Sequence, residues 1–230
     1  MAVKAQTRIP TPPDLPALEH LTAITDFSML TAQDCESIKV DGSICADQKS
    51  AHIKIRESIL TSIDLTATEI DFMQANDVLF ETCDIANARW NWLTTERVVF
   101  SSCRLLGFKA IECAMESARF DKCLMQLSQF RYSKLKGAYF EDCNLREADF
   151  SGADLTGASF VGCDLTGASF SDAKCSGLDV RSAILDGLLI GPASLIGIII
   201  NPAQAADIVK LFGVTVLNEH EALPKTRERH

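Results

Sequence analysis

Apolar residues recur at every fifth position along most of this chain, and a fixed period of five excludes both ordinary folding patterns. From Phe120 to Leu195 each residue whose number is a multiple of five is apolar, beginning Phe120, Met125, Phe130, Leu135, Phe140, Leu145, Phe150. Two residues before these centres stand small or apolar residues such as Ala138, Cys143, Ala148, Ala153 and Cys163. An amphipathic helix spaces its apolar residues at about 3.6 and a half-buried strand at about 2. A five-residue unit with two inward positions around one outward residue instead describes a short extended piece followed by a turn. Ten of the twelve glycines fall two residues after an apolar centre, where a crowded corner favours a residue without a Cβ. The register continues upstream through Phe80, Ile85, Trp90, Phe100 and Leu105, weakens at Thr95 and Ala110, and fades before about Ile53.

Composition then narrows the function. The 230 residues are 47% apolar and 23% charged, enough for one sizeable core. Histidine is confined to His20, His52, His220 and His230, so Ile53 to Glu219 lacks the usual acid, base and metal ligand of neutral pH. Outward hydroxyls such as Ser151, Thr156 and Thr166 therefore have no neighbouring imidazole to activate them. No catalytic residue is assigned, and the chain reads as non-enzymatic. All nine cysteines fall in the two inward classes of the five-residue frame, with no CxxC or Cys/His zinc spacing. They are expected to be free thiols filling a narrow column, with no metal or cofactor. The stretch Leu188 to Ile200 is 13 residues long and broken by Gly and Pro, short of the roughly 20 needed for a membrane span. The N-terminus has no apolar signal core. A cytoplasmic protein without membrane contact is expected.

The net charge of -9 argues against direct nucleic-acid binding. Its distribution says more: residues 21–88 carry net -8, residues 89–140 net +5 and residues 141–200 net -6. At the C-terminal side of the repeats, Asn201 is a good N-cap and Pro202 suits the first helical position. Ala205, Ile208, Val209 and Phe212 form an apolar stripe that Gly213 ends, and a short strand is expected at Val214–Leu217. An open solenoid end exposes strand edges and core, so this segment caps it or joins it to a second copy.

The run AYFEDCNLREADFSGADLTGASFVGCDLTGASFSD resembles the pentapeptide repeat family, whose unit is a small residue, Asp or Asn, Leu or Phe, then Ser, Thr or Arg, and often Gly. The resemblance implies an all-β fold, a right-handed quadrilateral parallel β-helix with four units per coil and a short C-terminal capping helix. Residues 20 apart then stack, placing Phe80, Phe100, Phe120, Phe140 and Phe160 in one ladder and Cys83, Cys103, Cys123, Cys143 and Cys163 in another. The expected organisation is a flexible Pro-rich arm at 1–20, the β-helix at 21–200 with regular repeats from about 79, a helix and strand at 201–217, and a flexible tail at 218–230.

The phrases LDVRSAILDG and PAQAADIVKLFGVTVL are similar to the quinolone-resistance members of the Qnr and MfpA type. That similarity implies a homodimer held by Ile208, Val209, Leu211 and Phe212. It also implies a DNA-mimicking acidic surface that binds a type II topoisomerase, DNA gyrase or topoisomerase IV, and inhibits it or protects it from quinolones. On this chain the partner-binding carboxylates would be Glu141, Asp142, Glu147, Asp149, Asp154, Asp164, Asp172, Asp179 and Asp186. The basic band 89–136 confines any mimicry to the C-terminal half, and the unbroken register lacks the loop insertions of the Gram-negative Qnr proteins. The alternative is a generic scaffold whose outward faces bind some other protein. Trp92 occupies an outward position, which suits either a partner contact or packing against the N-terminal arm.

Overall fold

In the computed structural model, which describes residues 9–25 and 34–217, the chain winds as a parallel β-helix whose strands pair at a step of 20 residues. Phe80 pairs with Phe100, Phe100 with Phe120, Phe120 with Phe140 and Phe140 with Phe160. With a sequence unit of five, four units complete a coil. The eleven strands among the described residues form one sheet, and single parallel bridges such as Asn144 to Asp164 carry the register where the extended pieces are too short to be strands. The first turn departs from this step, since Thr22 pairs with Ile38.

The two inward positions of each unit make one continuous core. The rings of Phe80, Phe100, Phe120, Phe140 and Phe160 lie face to face with centroids 4.8, 4.9, 4.8 and 4.5 Å apart, which is the inter-strand spacing of a sheet. Opposite them, Trp90 is followed one coil on by Ala110, and Phe108 uses the vacated space to meet the indole edge-on at 5.2 Å. The buried indole N–H donates to Thr68 Oγ1 at 3.1 Å. The frame also runs upstream of Ile53, where the sequence pattern fades, through buried Ile38 and Val40 and through Cys45. There, aliphatic side chains fill both inward classes and hide the small-then-large alternation.

The corner two residues after most centres is left-handed whether or not it is glycine, Phe72 in the long strand Glu69–Glu81 being an exception. Gly177 has φ +71°, and Trp92, Lys122 and Leu127 hold +46°, +52° and +59°. An L-residue in that region costs about 1–2 kcal/mol. Coil-to-coil hydrogen bonds hold the conformation, as where Lys122 N–H donates to Glu141 O at 2.8 Å.

A short helix covers the C-terminal end of the rod. The helix Pro202–Lys210 begins with a reciprocal cap, in which Asn201 Oδ1 accepts from Gln204 N–H and Gln204 Oε1 accepts from Asn201 N–H, both at 2.9 Å. Gln204 Nε2 donates to Val180 O and Ala183 O at 2.7 and 2.8 Å, tying the helix to the last coils. Val214–Leu217 does not form the expected strand. It is irregular and exposed, because a strand needs an edge to pair with and the described residues offer none there. No helix is long and apolar enough to cross a membrane among the described residues.

The described part of the arm is docked, in contrast to the flexible segment expected at 1–20. Ile9–Pro12 share a cleft with Val99, Arg119 and Asp121, a single helical turn forms at Leu18–His20, and Asp14 N–H donates to Asp77 Oδ1 at 2.7 Å. Prolines and an isoleucine give this segment an apolar surface for the half-buried Val99. Residues 1–8 and the tail expected at 218–230 lie outside the described residues.

Asp77 is the anchor of that contact. Its two oxygens accept from Arg97 Nε and Nη2, each at 2.6 Å, and the guanidinium holds the carboxyl below the usual carboxylate range against partial burial. The stabilisation is complete above the unfolded carboxylate pKa of about 3.9 and is lost as pH falls through the lowered folded value. Asp77→Asn should therefore flatten the acid limb of the stability curve followed by circular dichroism. Phe120→Ala should cost about 3–5 kcal/mol in urea unfolding by opening a cavity in the ladder. Gly177→Ala should cost about 1–2 kcal/mol through the corner conformation alone, since an added Cβ would meet only ordinary contacts with Gly157.

Candidate interaction surfaces

The register spreads the acidic set around the rod. Asp149, Asp154, Asp164 and Asp179 stand in four separate ladders, beside Gln129 and Ser169, Lys134 and Lys174, Asn144 and Ile184, and Ser159 and Ile199 respectively. Four units make a coil, so these carboxylates point to four sides. Each accepts from the backbone N–H two residues on, at Ser151, Thr156, Thr166 and Arg181, over 2.9–3.2 Å. That is the Asx turn, in which a short side chain braces the corner that follows it.

Cations engage the same groups. Asp149 meets Arg131 at 3.6 Å, Asp154 meets Lys136 at 3.4 Å, Asp164 meets Arg146 at 3.1 Å, Asp179 meets Arg181 at 2.7 Å and Glu141 meets Arg119 at 2.9 Å. Partial burial opposes ionisation of Asp154, yet the Thr156 hydroxyl and N–H together with Lys136 hold its carboxyl below the usual range. Asp164 is held likewise by Thr166 and Arg146. Asp142, Glu147, Asp172 and Asp186 meet no cation among the described residues. The structure thus does not gather the nine carboxylates on one face.

The four residues expected at a dimer contact divide. Ile208 is buried in the end of the core and Leu211 packs partly against it. Val209 and Phe212 turn outward, 38% and 43% exposed. The cysteine column behaves as filler. No disulfide joins any of the nine cysteines, and Cys103, Cys123 and Cys143 lie 3.4, 3.3 and 3.3 Å from the carbonyls of Phe80, Phe100 and Phe120. Burial pushes the Cys175 thiol up to about 11 and the Cys113 thiol up to about 12, which suppresses the reactive thiolate. A thiol-specific chromogenic reagent should find at most the half-buried Cys35 in the native protein and nine thiols in denaturant.

A surface that the sequence indicated only through Trp92 lies near the N-terminal end. His52, Phe72 and Trp92 stack along one corner of the rod with centroids 4.9 and 6.2 Å apart and planes within 17°. Phe72 is 47% and Trp92 60% exposed. The arm packs elsewhere, on the side bearing Val99 and Arg119, so it is not the arm that Trp92 meets in the described contacts. A trough runs beside the aromatic column. One part, about 460 Å³, lies between His52, Lys54, Phe72 and Trp92; the other, about 560 Å³, surrounds Ala114, and they share Gln74 and Thr94. Ala114 pairs between Thr94 and Lys134, and its missing bulk opens the floor. Aromatic residues at outward positions 52, 72 and 92, one coil apart, are the signal that marks this corner in the sequence.

Residues 93–170 match the family described as a pentapeptide repeat region. Among solved structures the chain is similar to trypsin-treated QnrB1, a plasmid-mediated fluoroquinolone resistance protein, with 16% identity, 78% of this chain and 99% of that chain covered, and a TM-score of 0.37. It is also similar to HetL, a pentapeptide repeat protein involved in heterocyst differentiation regulation in the cyanobacterium Nostoc, with 16% identity, 76% and 90% coverage and a TM-score of 0.42. No curated protein matches the chain.

Proposed function

We propose that this pentapeptide-repeat β-helix is a non-enzymatic rod that binds a protein partner through the aromatic corner and its adjoining trough. The observation that carries this reading is the exposure of Phe72 and Trp92 on a rigid wall. Corners elsewhere carry mostly glycine or small and polar residues, with Leu127 and Tyr132 the apolar exceptions, so the coil itself has no need of an indole there. Large aromatic side chains standing in solvent beside a groove are the composition of interface hot spots. Nine cysteines without a disulfide suit a reducing, cytoplasmic setting.

A narrower reading makes the rod an acidic mimic of DNA that engages DNA gyrase or topoisomerase IV. The net charge of -9 and the uncompensated Asp142, Glu147, Asp172 and Asp186 favour it. The four-sided distribution of the remaining carboxylates favours the aromatic surface instead. In either case a second copy would pair across the C-terminal end through Val209 and Phe212, while Ile208 and Leu211 hold the cap in place.

Affinity capture from the native lysate separates the two surfaces. Proteins retained by the wild type should be lost from Phe72→Ser/Trp92→Ser and kept by Glu147→Gln/Asp172→Asn; the reverse pattern would overturn the aromatic reading. Gyrase supercoiling titrated with the protein, with and without a quinolone, tests the narrower one, and inhibition or relief at micromolar protein would establish it. Sedimentation should show a dimer that Phe212→Asp converts to monomer. A monomeric wild type would leave the helix with its capping role alone.

A further inference from the structure

The face that carries the N-terminal arm has an unusual outward ladder. Residues one place before an apolar centre point outward, and elsewhere they are mostly polar, as Gln129, Lys134, Asn144 and Asp149 are. On this face Ile59 pairs with Leu79, Leu79 with Val99 and Val99 with Arg119, so three aliphatic side chains stand in a row on the outside of the rod. Such a stripe gains by being covered. Arg119 ends it as a fixed platform. Its Nε donates to the carboxylate of Asp121 at 2.7 and 2.8 Å, its Nη2 donates to Glu141 at 2.9 Å, and the guanidinium stands over the Tyr139 ring at 5.3 Å. The arm covers this stripe incompletely. It climbs from Asp14 beside Asp77 to Ile9–Pro12 beside Val99 and Arg119, yet no residue from 9 to 20 is fully buried, and Pro10, Pro13, Leu15 and Pro16 are half-buried. A cavity of about 200 Å³ is left between Ile9–Pro12 and the wall. Among the described residues a single hydrogen bond joins residues 9–17 to the rod, from Asp14 N–H to Asp77 Oδ1 at 2.7 Å. The acceptor is set in advance, because Asp77 is only 8% exposed and Arg97 grips both of its oxygens.

We infer that the arm is a displaceable strap, and that the groove beneath it takes a proline-rich segment of a protein partner in its place. The groove is rigid and the strap is lightly held, which is the arrangement of an internal ligand guarding a site. The arm itself shows the chemistry that fits. Prolines hold a backbone extended before it binds, so little freedom is lost on docking, and their rings suit an aliphatic stripe and a flat guanidinium. A proline-rich segment also has few N–H groups to satisfy, and the groove presents one carboxylate, Asp77, for the donor that interrupts the prolines. A tethered segment competes at an effective concentration in the millimolar range. The strap therefore excludes weak competitors and yields to a segment that fills the cavity beside Val99. This groove lies apart from the aromatic corner, and neither surface depends on the other.

The test uses the full chain labelled with nitrogen-15 and the capped peptide Ile-Pro-Thr-Pro-Pro-Asp-Leu-Pro, which repeats residues 9–16. Asp14→Pro removes the one N–H that Asp77 accepts and leaves the groove untouched. In that variant the peptide should shift the Val99 and Arg119 amides saturably, while the buried Trp90 indole stays fixed as an internal control for folding. The wild type should bind the same peptide at least tenfold more weakly, because its own strap competes. A peptide with alanine in place of every proline should bind Asp14→Pro several-fold more weakly. Adding Val99→Asp, an outward change, should abolish the saturable shift. Absence of saturable binding to Asp14→Pro, equal binding by the wild type, or undiminished binding after Val99→Asp would each overturn the strap. Sedimentation covers the other occupant: a wild-type dimer that Val99→Asp converts to monomer would put a second copy's arm in the groove and would overturn it as well. Lysate capture through Phe72 and Trp92 is read separately, so either surface can fail while the other stands.

Discussion

A left-handed corner closes most five-residue units, and it fixes what can stand on both sides of the wall. Turning so sharply leaves room for two inward side chains per side, so the core is a narrow column in which only flat or small groups repeat without collision. Phenylalanine rings at 4.5–4.9 Å separations and cysteines beneath neighbouring carbonyls are the two solutions this chain uses most. The corner also governs the outside. A Cβ on Gly152 would lie 2.5 Å from Cδ1 of Tyr132, so the glycine there is required by the ring of the previous coil as well as by its φ of +69°.

Because the core is so uniform, distinct function has to reside in the outward residues, and many of these are committed to holding the corner. An aspartate one residue before the centre accepts from the N–H one residue after it, and a cation from the neighbouring coil often completes the clasp, as at Asp154 with Thr156 and Lys136. The same residue type therefore recurs on all four sides for a local reason. An acidic tally rises with the number of coils without producing an acidic face, and for that reason the charge of the C-terminal half is weak evidence for mimicry of a polyanion. Groups that no corner uses carry more information. Phe72 and Trp92 are such groups, and they stack on one another.

The ladders were legible from residue numbers alone, since a period that divides 20 makes stacking a matter of arithmetic once four units per coil is assumed. The C-terminal cap was legible through Asn201 and Pro202, whose roles depend on local backbone geometry. What the sequence concealed depends on partners distant along the chain. The docking of Ile9–Pro12 requires a side bearing Val99 and Arg119, and the expected strand at Val214–Leu217 lacks any edge to join. The acidic residues could be counted, but their division among four ladders appears only when each is assigned to its coil. Trp92 was conspicuous, whereas Ala114, whose small side chain lines the trough, was not.

The wall's rigidity decides how such a surface can recognise anything. Trp92 is held from below by Phe72 and at its own backbone by a left-handed corner with φ +46°, so little rotamer freedom remains to be lost on binding. A non-glycine residue in that conformation costs free energy that the coil-to-coil hydrogen bonds must offset, and Asn91 N–H to Ile70 O at 2.8 Å is one of them. A surface built in this way cannot remodel around different partners as a flexible loop can. Affinity then comes from complementarity already present in the free rod, and specificity from which outward groups stand one coil apart.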